Sequence, residues 1–271
     1  MASKALLVGI NAYPAPNELN GCINDIEDMR NYLVAKRGFR REDIDLMTDG
    51  HATTTNIVAA LERFVASLKP GDRALFHYSG HGAQMPTRTA REIDGLDEVI
   101  CPVDFDWSDQ HAIRDDEFNR IMSKVPVGVE FVWVSDSCHS ASLEREVLPH
   151  GQKAREIRPT GQLAVEIRNA RERGVPVRKL TAPSKLNVAL ISGCKSDQTS
   201  ADAQINGRYN GAATYFLLRE ILAAPNQPLT DIVHNVNEAL RDAHYSQRPQ
   251  LAGSRDVRGR PFLEDVGAVP A

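Results

Sequence analysis

A cysteine and a histidine each follow a short apolar segment in this sequence. His81 comes shortly after residues 73–78, and Cys138 comes shortly after residues 129–134. A cysteine acts as a nucleophile through its thiolate, and a neighbouring imidazole can take the thiol proton and later return it to a leaving amine. The two residues therefore predict nucleophilic catalysis, with Cys138 as nucleophile and His81 as general base and acid, if the fold brings them together.

The residues next to this pair fit the same chemistry. Gly82 follows His81, and a glycine lets a substrate backbone approach closely. The backbone N–H groups of Gly82 and Cys138 are candidates for an oxyanion hole, which stabilises the negative oxygen formed during attack on a carbonyl. The alternative interpretation is a buried free cysteine and an ordinary loop histidine.

Apolar patterning predicts how these residues are positioned. Short buried strands are expected at residues 4–10, 44–47, 73–78, 98–103, 129–134 and 187–192, with a polar loop after residue 82. Helices are expected from about Asn24, from about Thr53, and over residues 115–125, 163–173, 214–222 and 231–243. Strands alternating with helices favour an α/β fold with a mostly parallel sheet, in which ligands bind beyond the carboxyl ends of the strands. His81 and Cys138 should both lie at that edge.

Composition narrows the class of protein. The chain has 271 residues with a formal net charge of −4, so a nucleic-acid binder is disfavoured. Its apolar runs are too short to cross a bilayer. The four cysteines, Cys22, Cys101, Cys138 and Cys194, are scattered without a CxxC pair, which disfavours a disulfide scaffold and a cysteine-rich zinc site. We expect a reduced, cytoplasmic protein of one domain, residues 1–271, with Cys101 and Cys194 as core thiols.

Several motifs resemble those of the metacaspases, which belong to the caspase-like clan of cysteine peptidases (family C14). YSGHG at 78–82 and DSCHS at 136–140 resemble the two catalytic signatures. Further similar blocks stand in the same order at residues 19–25, 94–104, 114–117 and 192–202. The resemblance implies a caspase-like α/β fold with helices on both faces of a central sheet. It also implies a cysteine endopeptidase that uses His81 and Cys138.

The resemblance further implies cleavage of polypeptides after arginine or lysine. The family positions that line the primary specificity pocket match Cys22, Asp25, Ser79 and Asp136. Two carboxylates would give an acidic slot, which suits the five donors of a guanidinium. Loop aspartates that cap turns are the alternative.

Calcium is a further expectation from the resemblance. Asp97, Asp115 and Asp116 match family positions that bind Ca²⁺, and hard cations prefer carboxylate oxygens. The segment 140–146 departs from the family pattern, with alanine in place of glycine and glutamate in place of aspartate. A solvated acidic loop is the alternative, and no organic cofactor is expected.

The stretch 144–186 is rich in basic residues and is broken by prolines, which indicates an insertion. A peptidase specific for Arg or Lys could cut itself there, and the candidate positions are Arg145, Lys153, Arg155 and Arg173. A solvated or partner-binding surface is the alternative. We expect a monomer that contacts neither nucleic acid nor membrane.

Two rival functions follow from other classes. A catalytically weak member of the family could act as an interaction or regulatory module. A cysteine phosphatase is disfavoured because Arg145 follows Cys138 with the wrong spacing, and no glycine-rich phosphate loop follows a strand.

Overall fold

The computed structural model describes residues 1–89, 92–138, 152–179, 188–195 and 198–264. Its strands are β1 (Ser3–Gly9), β2 (Ile44–Thr48), β3 (Arg73–Ser79), β4 (Gly82–Thr89), β5 (Glu92–Ile100), β6 (Ile113–Arg114), β7 (Glu130–Asp136), β8 (Lys153–Ala154), β9 (Val177–Arg178), β10 (Val188–Ser192), β11 (Ala201–Ile205), β12 (Arg208–Gly211) and β13 (Gln250–Ala252). Its helices are α1 (Cys22–Lys36), α2 (Thr54–Ala66), α3 (Asp115–Met122), α4 (Gly161–Glu172), α5 (Ala212–Ala223), α6 (Leu229–Asp242) and α7 (Arg255–Arg258).

Six strands form a central sheet in the order β13-β10-β7-β3-β1-β2. All neighbouring pairs are parallel except β10 and β13. The inner strands are buried on both faces, which explains their continuous apolar runs. Helices α2 and α3 cover one face, and α1, α5 and α6 cover the other. The predicted α/β class, with a mostly parallel sheet and helices on both faces, is confirmed.

Two smaller sheets flank the central one. One contains β4, β5 and β6, with β9 added in parallel to β5; the other contains β8, β11 and β12. The polar loop predicted after residue 82 is wrong, because those residues form β4 and most of β5 as an antiparallel hairpin. Polar side chains such as Gln84 are buried there under the insertion, so the local sequence lacks the usual alternation of apolar and polar residues.

The insertion is described over residues 152–179. Helix α4 packs Ile167 and Ala170 against Ile93 and Leu96 of the hairpin. Residues 139–151 and 180–187, which include the candidate position Arg145, lie outside the described residues. In the parts of the chain that the structure describes, no helix is long and apolar enough to span a membrane.

Candidate active site

The carboxyl ends of three parallel strands meet at one edge of the central sheet. Gly9 at the end of β1 is level with Ser79 at the end of β3, and Ser79 is level with Asp136 at the end of β7. His81 and Cys138 each stand two residues beyond the paired positions Ser79 and Asp136. The topology therefore places the imidazole and the thiol at the same edge.

The imidazole of His81 is buried and held from one side. Its Nε2 lies 2.7 Å from the carbonyl oxygen of Asn17, so Nε2 carries a hydrogen and donates it. The ring of Tyr13 packs against the imidazole with centroids 4.5 Å apart. Nδ1 is buried and has no hydrogen-bond partner among the described residues. Burial lowers the pKa of His81 to about 4, so at neutral pH the ring is uncharged and Nδ1 can accept a proton.

The thiol of Cys138 is fully buried. It donates to the carbonyl oxygen of Ser200 at 3.3 Å and accepts a hydrogen bond from the Ser200 N–H. Burial, the neighbouring Cys194 thiol and the charge of Glu156 together raise the pKa of Cys138 well above its usual value, so it rests as a neutral thiol. Within the described ranges, no hydrogen bond joins the side chains of His81 and Cys138.

A segment of the chain itself, residues 153–157, runs through this edge. Strand β8 pairs antiparallel with β11, and the N–H of Arg155 continues the ladder by donating to Ser200 O at 3.0 Å. The carbonyl oxygen of Arg155 accepts from the N–H groups of both Gly82 and Cys138, each at 3.1 Å. These are the two groups predicted to form an oxyanion hole. The Arg155 carbonyl therefore lies between the N–H groups of Gly82 and Cys138.

The guanidinium of Arg155 fills a buried acidic pocket. Its Nη1 donates to Ser79 Oγ at 2.7 Å and lies 3.3 Å from Asp136 Oδ2. Its Nη2 donates to Asp25 Oδ2 at 2.8 Å and to Asp202 Oδ1 at 3.1 Å. All four of these side chains have no exposed surface. The structure thus brings Asp25, Ser79 and Asp136 together around one guanidinium.

Cys22 and Asp202 complete this pocket. The Cys22 thiol is buried near Arg155, and burial raises its pKa far above the usual range although the Arg155 charge opposes this. Asp202 is a third carboxylate that the sequence analysis did not assign to the pocket. It ends the motif at 192–202 and is held by the N–H groups of Asn20 and Gly21 at 2.8 and 2.9 Å.

The start of helix α5 holds the other two carboxylates. The Gly211 N–H donates to Asp25 at 2.9 Å, and Thr214 donates to Asp136 Oδ2 through its N–H at 2.9 Å and its hydroxyl at 2.7 Å. Helix N-termini favour negative charge, which helps to keep carboxylates buried here. A side chain at position 211 would overlap the Arg155 guanidinium and Asp136, so this position requires glycine.

The two aspartates differ in their proton affinity. Burial raises the pKa of Asp25 to about 7, although Arg155 opposes the rise. Burial acts in the same direction on Asp136, but Arg155, Ser200 and Thr214 outweigh it and hold that pKa below the usual value. The pocket therefore stores a fixed negative charge on Asp136 and a titratable one on Asp25. His77 is fully buried next to this pocket, with Nε2 3.3 Å from the Thr214 hydroxyl.

The residues predicted to bind calcium do not form a prepared ion site. Asp97 and Asp115 are buried, and each has one carboxylate oxygen without a hydrogen-bond partner among the described residues, while Asp116 is exposed. Arg114 pairs with Asp97 at 2.7 Å, and β9 places Arg178 level with Asp97. No group of three or more metal-ligating side chains in the described part of the chain is arranged to hold a metal.

The family model and the similar proteins of known family agree with each other. The metacaspase, peptidase C14 domain family matches residues 3–145. Metacaspase-1 of Scheffersomyces stipitis is 34% identical over 93% of this chain and 70% of its own length. Metacaspase-1A of Aspergillus oryzae is 35% identical over 94% of this chain and 68% of its own length. A crystal structure of protein GSU0716 from Geobacter sulfurreducens superposes with a TM-score of 0.74 at 25% identity, covering 98% of this chain and all of that one.

Proposed function

Because the chain belongs to the metacaspase family and is a cysteine-type endopeptidase, we propose that it cleaves polypeptides after arginine, with Cys138 as nucleophile and His81 as general base and acid. One observation carries this proposal. The side chain of Arg155 lies among three carboxylates while its carbonyl oxygen accepts from the N–H groups of Gly82 and Cys138. A single residue thus satisfies a specificity pocket and an oxyanion hole at once.

The pocket favours arginine over lysine. The two terminal nitrogens of Arg155 reach different partners, Ser79 and Asp136 on one side and Asp25 and Asp202 on the other. A planar guanidinium can satisfy both sides because its donors are spread in a fixed fork. A lysine ammonium is a single point charge and would leave one side of the pocket unpaired.

The proposed reaction starts when the Cys138 thiol leaves its contact with Ser200 and turns towards the substrate carbonyl. Nδ1 of His81 takes the thiol proton, because Nε2 already donates to Asn17. The sulfur attacks the carbonyl carbon, and the N–H groups of Gly82 and Cys138 stabilise the negative oxygen. His81 then gives its proton to the leaving amine, and water hydrolyses the acyl-enzyme.

The same geometry supports self-cleavage between Arg155 and Glu156. Two other candidate positions lie elsewhere: the Lys153 ammonium donates to Glu18 O at 2.6 Å, and Arg173 donates to Ile93 O at 3.2 Å. Until the Arg155 segment leaves the cleft, it also excludes other substrates, so we propose that the uncut chain is self-inhibited. Calcium activation stays a prediction of the family resemblance, and no step of the proposed reaction passes through the ion.

The proposal is tested with paired reporter peptides that carry arginine, lysine or aspartate before the scissile bond, with calcium or with a chelator. The purified chain is incubated first, and its fragments are identified by mass. We expect a cut between Arg155 and Glu156, turnover of arginine peptides above lysine peptides, and none of aspartate peptides. Cys138→Ala is the matched inactive control.

Three outcomes would count against the proposal. Equal fragmentation of wild type and Cys138→Ala would exclude self-cleavage, and faster turnover of lysine or aspartate peptides would exclude the arginine pocket. Binding of arginine peptides without turnover would favour a regulatory module.

A further inference from the structure

The thiol of Cys138 has a second cysteine beside it. Strands β7 and β10 are parallel neighbours with Ser135 level with Ser192, and the Gly193 N–H continues their ladder to Ser135 O at 2.8 Å. Beyond the two strands, Cys194 Sγ lies 3.7 Å from the carbonyl oxygen of Ser137. Cys138 and Cys194 therefore each lie two residues beyond the end of one of two neighbouring strands, whose ordinary spacing is about 5 Å.

The two side chains also lie close together. Cys194 Sγ is 3.7 Å from the oxygen of the peptide bond that joins Ser137 to Cys138. Both contact the same short segment, since Cys194 Sγ donates to Gln198 O at 3.2 Å and Cys138 Sγ donates to Ser200 O at 3.3 Å. A disulfide needs α-carbons roughly 4.4 to 6.8 Å apart, which is the range that neighbouring parallel segments provide.

We propose that Cys138 and Cys194 form a reversible oxidation site, in which Cys194 is the resolving thiol for the nucleophile. The oxidant is a hydroperoxide such as hydrogen peroxide. The disulfide can form whether or not the chain is a peptidase. Its effect on activity rests on the proposed function.

The chemistry takes place in two balanced steps. The Cys138 sulfur attacks the O–O bond of hydrogen peroxide, which gives a sulfenic acid and one water. The Cys194 sulfur then attacks the Cys138 sulfur, the S–S bond forms, and the hydroxyl leaves with a proton as a second water. Two electrons and two thiol hydrogens pass from the protein to the peroxide, and a dithiol reductant returns them.

The disulfide would have two effects on the enzyme. It removes the nucleophile, so peptidase activity stops. It also blocks further oxidation of Cys138 to the sulfinic acid, which ordinary thiols cannot reverse. Cys194, interpreted from the sequence as a core thiol, thereby gains a protective role.

The experiment treats the full chain with hydrogen peroxide and measures intact mass, linked peptides and peptidase activity before and after dithiothreitol. We expect wild type to lose about 2 Da as the disulfide forms, to yield a linked Cys138–Cys194 peptide, and to recover activity on reduction. For Cys194→Ser we expect no linked peptide, a gain of oxygen mass, and recovery lower by roughly fivefold or more. Cys101→Ser removes another buried thiol and should oxidise and recover as wild type does.

Wild type that shows no linked peptide at any peroxide dose would overturn the proposal, as would Cys194→Ser that recovers as fully as wild type. If Cys194→Ser does not fold, the presence or absence of the linked Cys138–Cys194 peptide in wild type decides whether the proposal stands. Because the link is read by mass, its formation in a chain without peptidase activity would contradict the proposed function and leave the oxidation site standing. An active peptidase without the link would contradict the oxidation site alone.

Discussion

The main-chain oxygen of Arg155 lies 3.1 Å from the amide nitrogen of Cys138, while the side chain of the same arginine is fully buried. These two contacts fix both ends of one residue: the amide holds the carbonyl in place, and the acidic pocket holds the guanidinium. The insertion therefore does more than extend the surface. It supplies the only cation within the buried cluster of Asp25, Asp136 and Asp202 that the described residues contain.

Replacement of Arg155 by alanine should therefore abolish the cut at position 155 and destabilise the fold. Removing one partner of a buried ion pair costs about 3 to 5 kcal/mol because it leaves uncompensated charge. The loss of unfolding free energy should become smaller as the pH falls, because carboxylates left without a cation can then take up protons. Urea unfolding at pH 5 and pH 8, together with fragment masses, measures both effects.

Arg155→Lys is the matched control for charge. It should keep most of the stability, and it should be cut more slowly than wild type. An Arg155→Ala chain that is as stable as wild type at pH 8 would show that the three carboxylates do not depend on this cation.

Asp202 should contribute to the preference for arginine. Its carboxylate accepts from Arg155 Nη2 at 3.1 Å, and hydrogen bonds of charged groups contribute about 1.5 to 3 kcal/mol. Asp202→Asn should lower kcat/KM for arginine reporters by roughly 10-fold to 100-fold and should affect lysine reporters less, because a lysine does not span both sides of the pocket. Asp45→Asn, a change at an exposed carboxylate on β2, is the control and should leave both rates unchanged. An unchanged arginine-to-lysine ratio in Asp202→Asn would remove Asp202 from the specificity pocket.

The parts of this structure that the sequence predicts best are set by local pattern. Strands β1, β3, β7 and β10 are buried on both faces, so each is a short apolar run that needs no information from elsewhere in the chain. The assignment of Asp25, Ser79 and Asp136 to one pocket instead comes from the resemblance of their motifs to those of the metacaspases.

Other features depend on contacts between distant segments. Asp202 meets Arg155 across 47 residues of sequence, and the choice of Arg155 among several basic residues depends on the pairing of β8 with β11. The hairpin of β4 and β5 was missed for the same reason, because α4 buries polar side chains that alone would indicate a loop.

Gly211 should be required for the arginine pocket. A β-carbon there would overlap the Arg155 guanidinium and an oxygen of Asp136, both of which are fixed by hydrogen bonds. Gly211→Ala should therefore stop self-cleavage and lower turnover of arginine reporters, mainly through a higher KM. Gly50→Ala is the control, because a β-carbon at position 50 meets no atom within 4 Å. Normal KM values in Gly211→Ala would mean that the pocket can widen at low cost.

The pKa of Asp25 predicts a pH-dependent stability. Its value of about 7 in the folded chain exceeds the ordinary 3.8, so the folded state binds this proton more tightly than the unfolded state does. The corresponding stability is complete below about pH 4 and is lost as the pH rises through 7. His77 and His81, with pKa values of about 4, give an opposite slope between about pH 4 and 6.5.

The contribution of Asp25 is therefore measured as the difference in unfolding free energy between two chains. The histidine effects cancel in this difference. Both chains carry Cys138→Ala so that they stay uncut, and one also carries Asp25→Asn. Between pH 5 and pH 8, the chain with Asp25 should lose free energy of unfolding relative to the chain with asparagine, as followed by urea denaturation. The unfolding free energy of Asp45→Asn, a change at an exposed carboxylate in the same background, should vary with pH as that of its parent does. If the Asp25→Asn curve is parallel as well, Asp25 is ionised throughout and the pocket holds its charges without a proton.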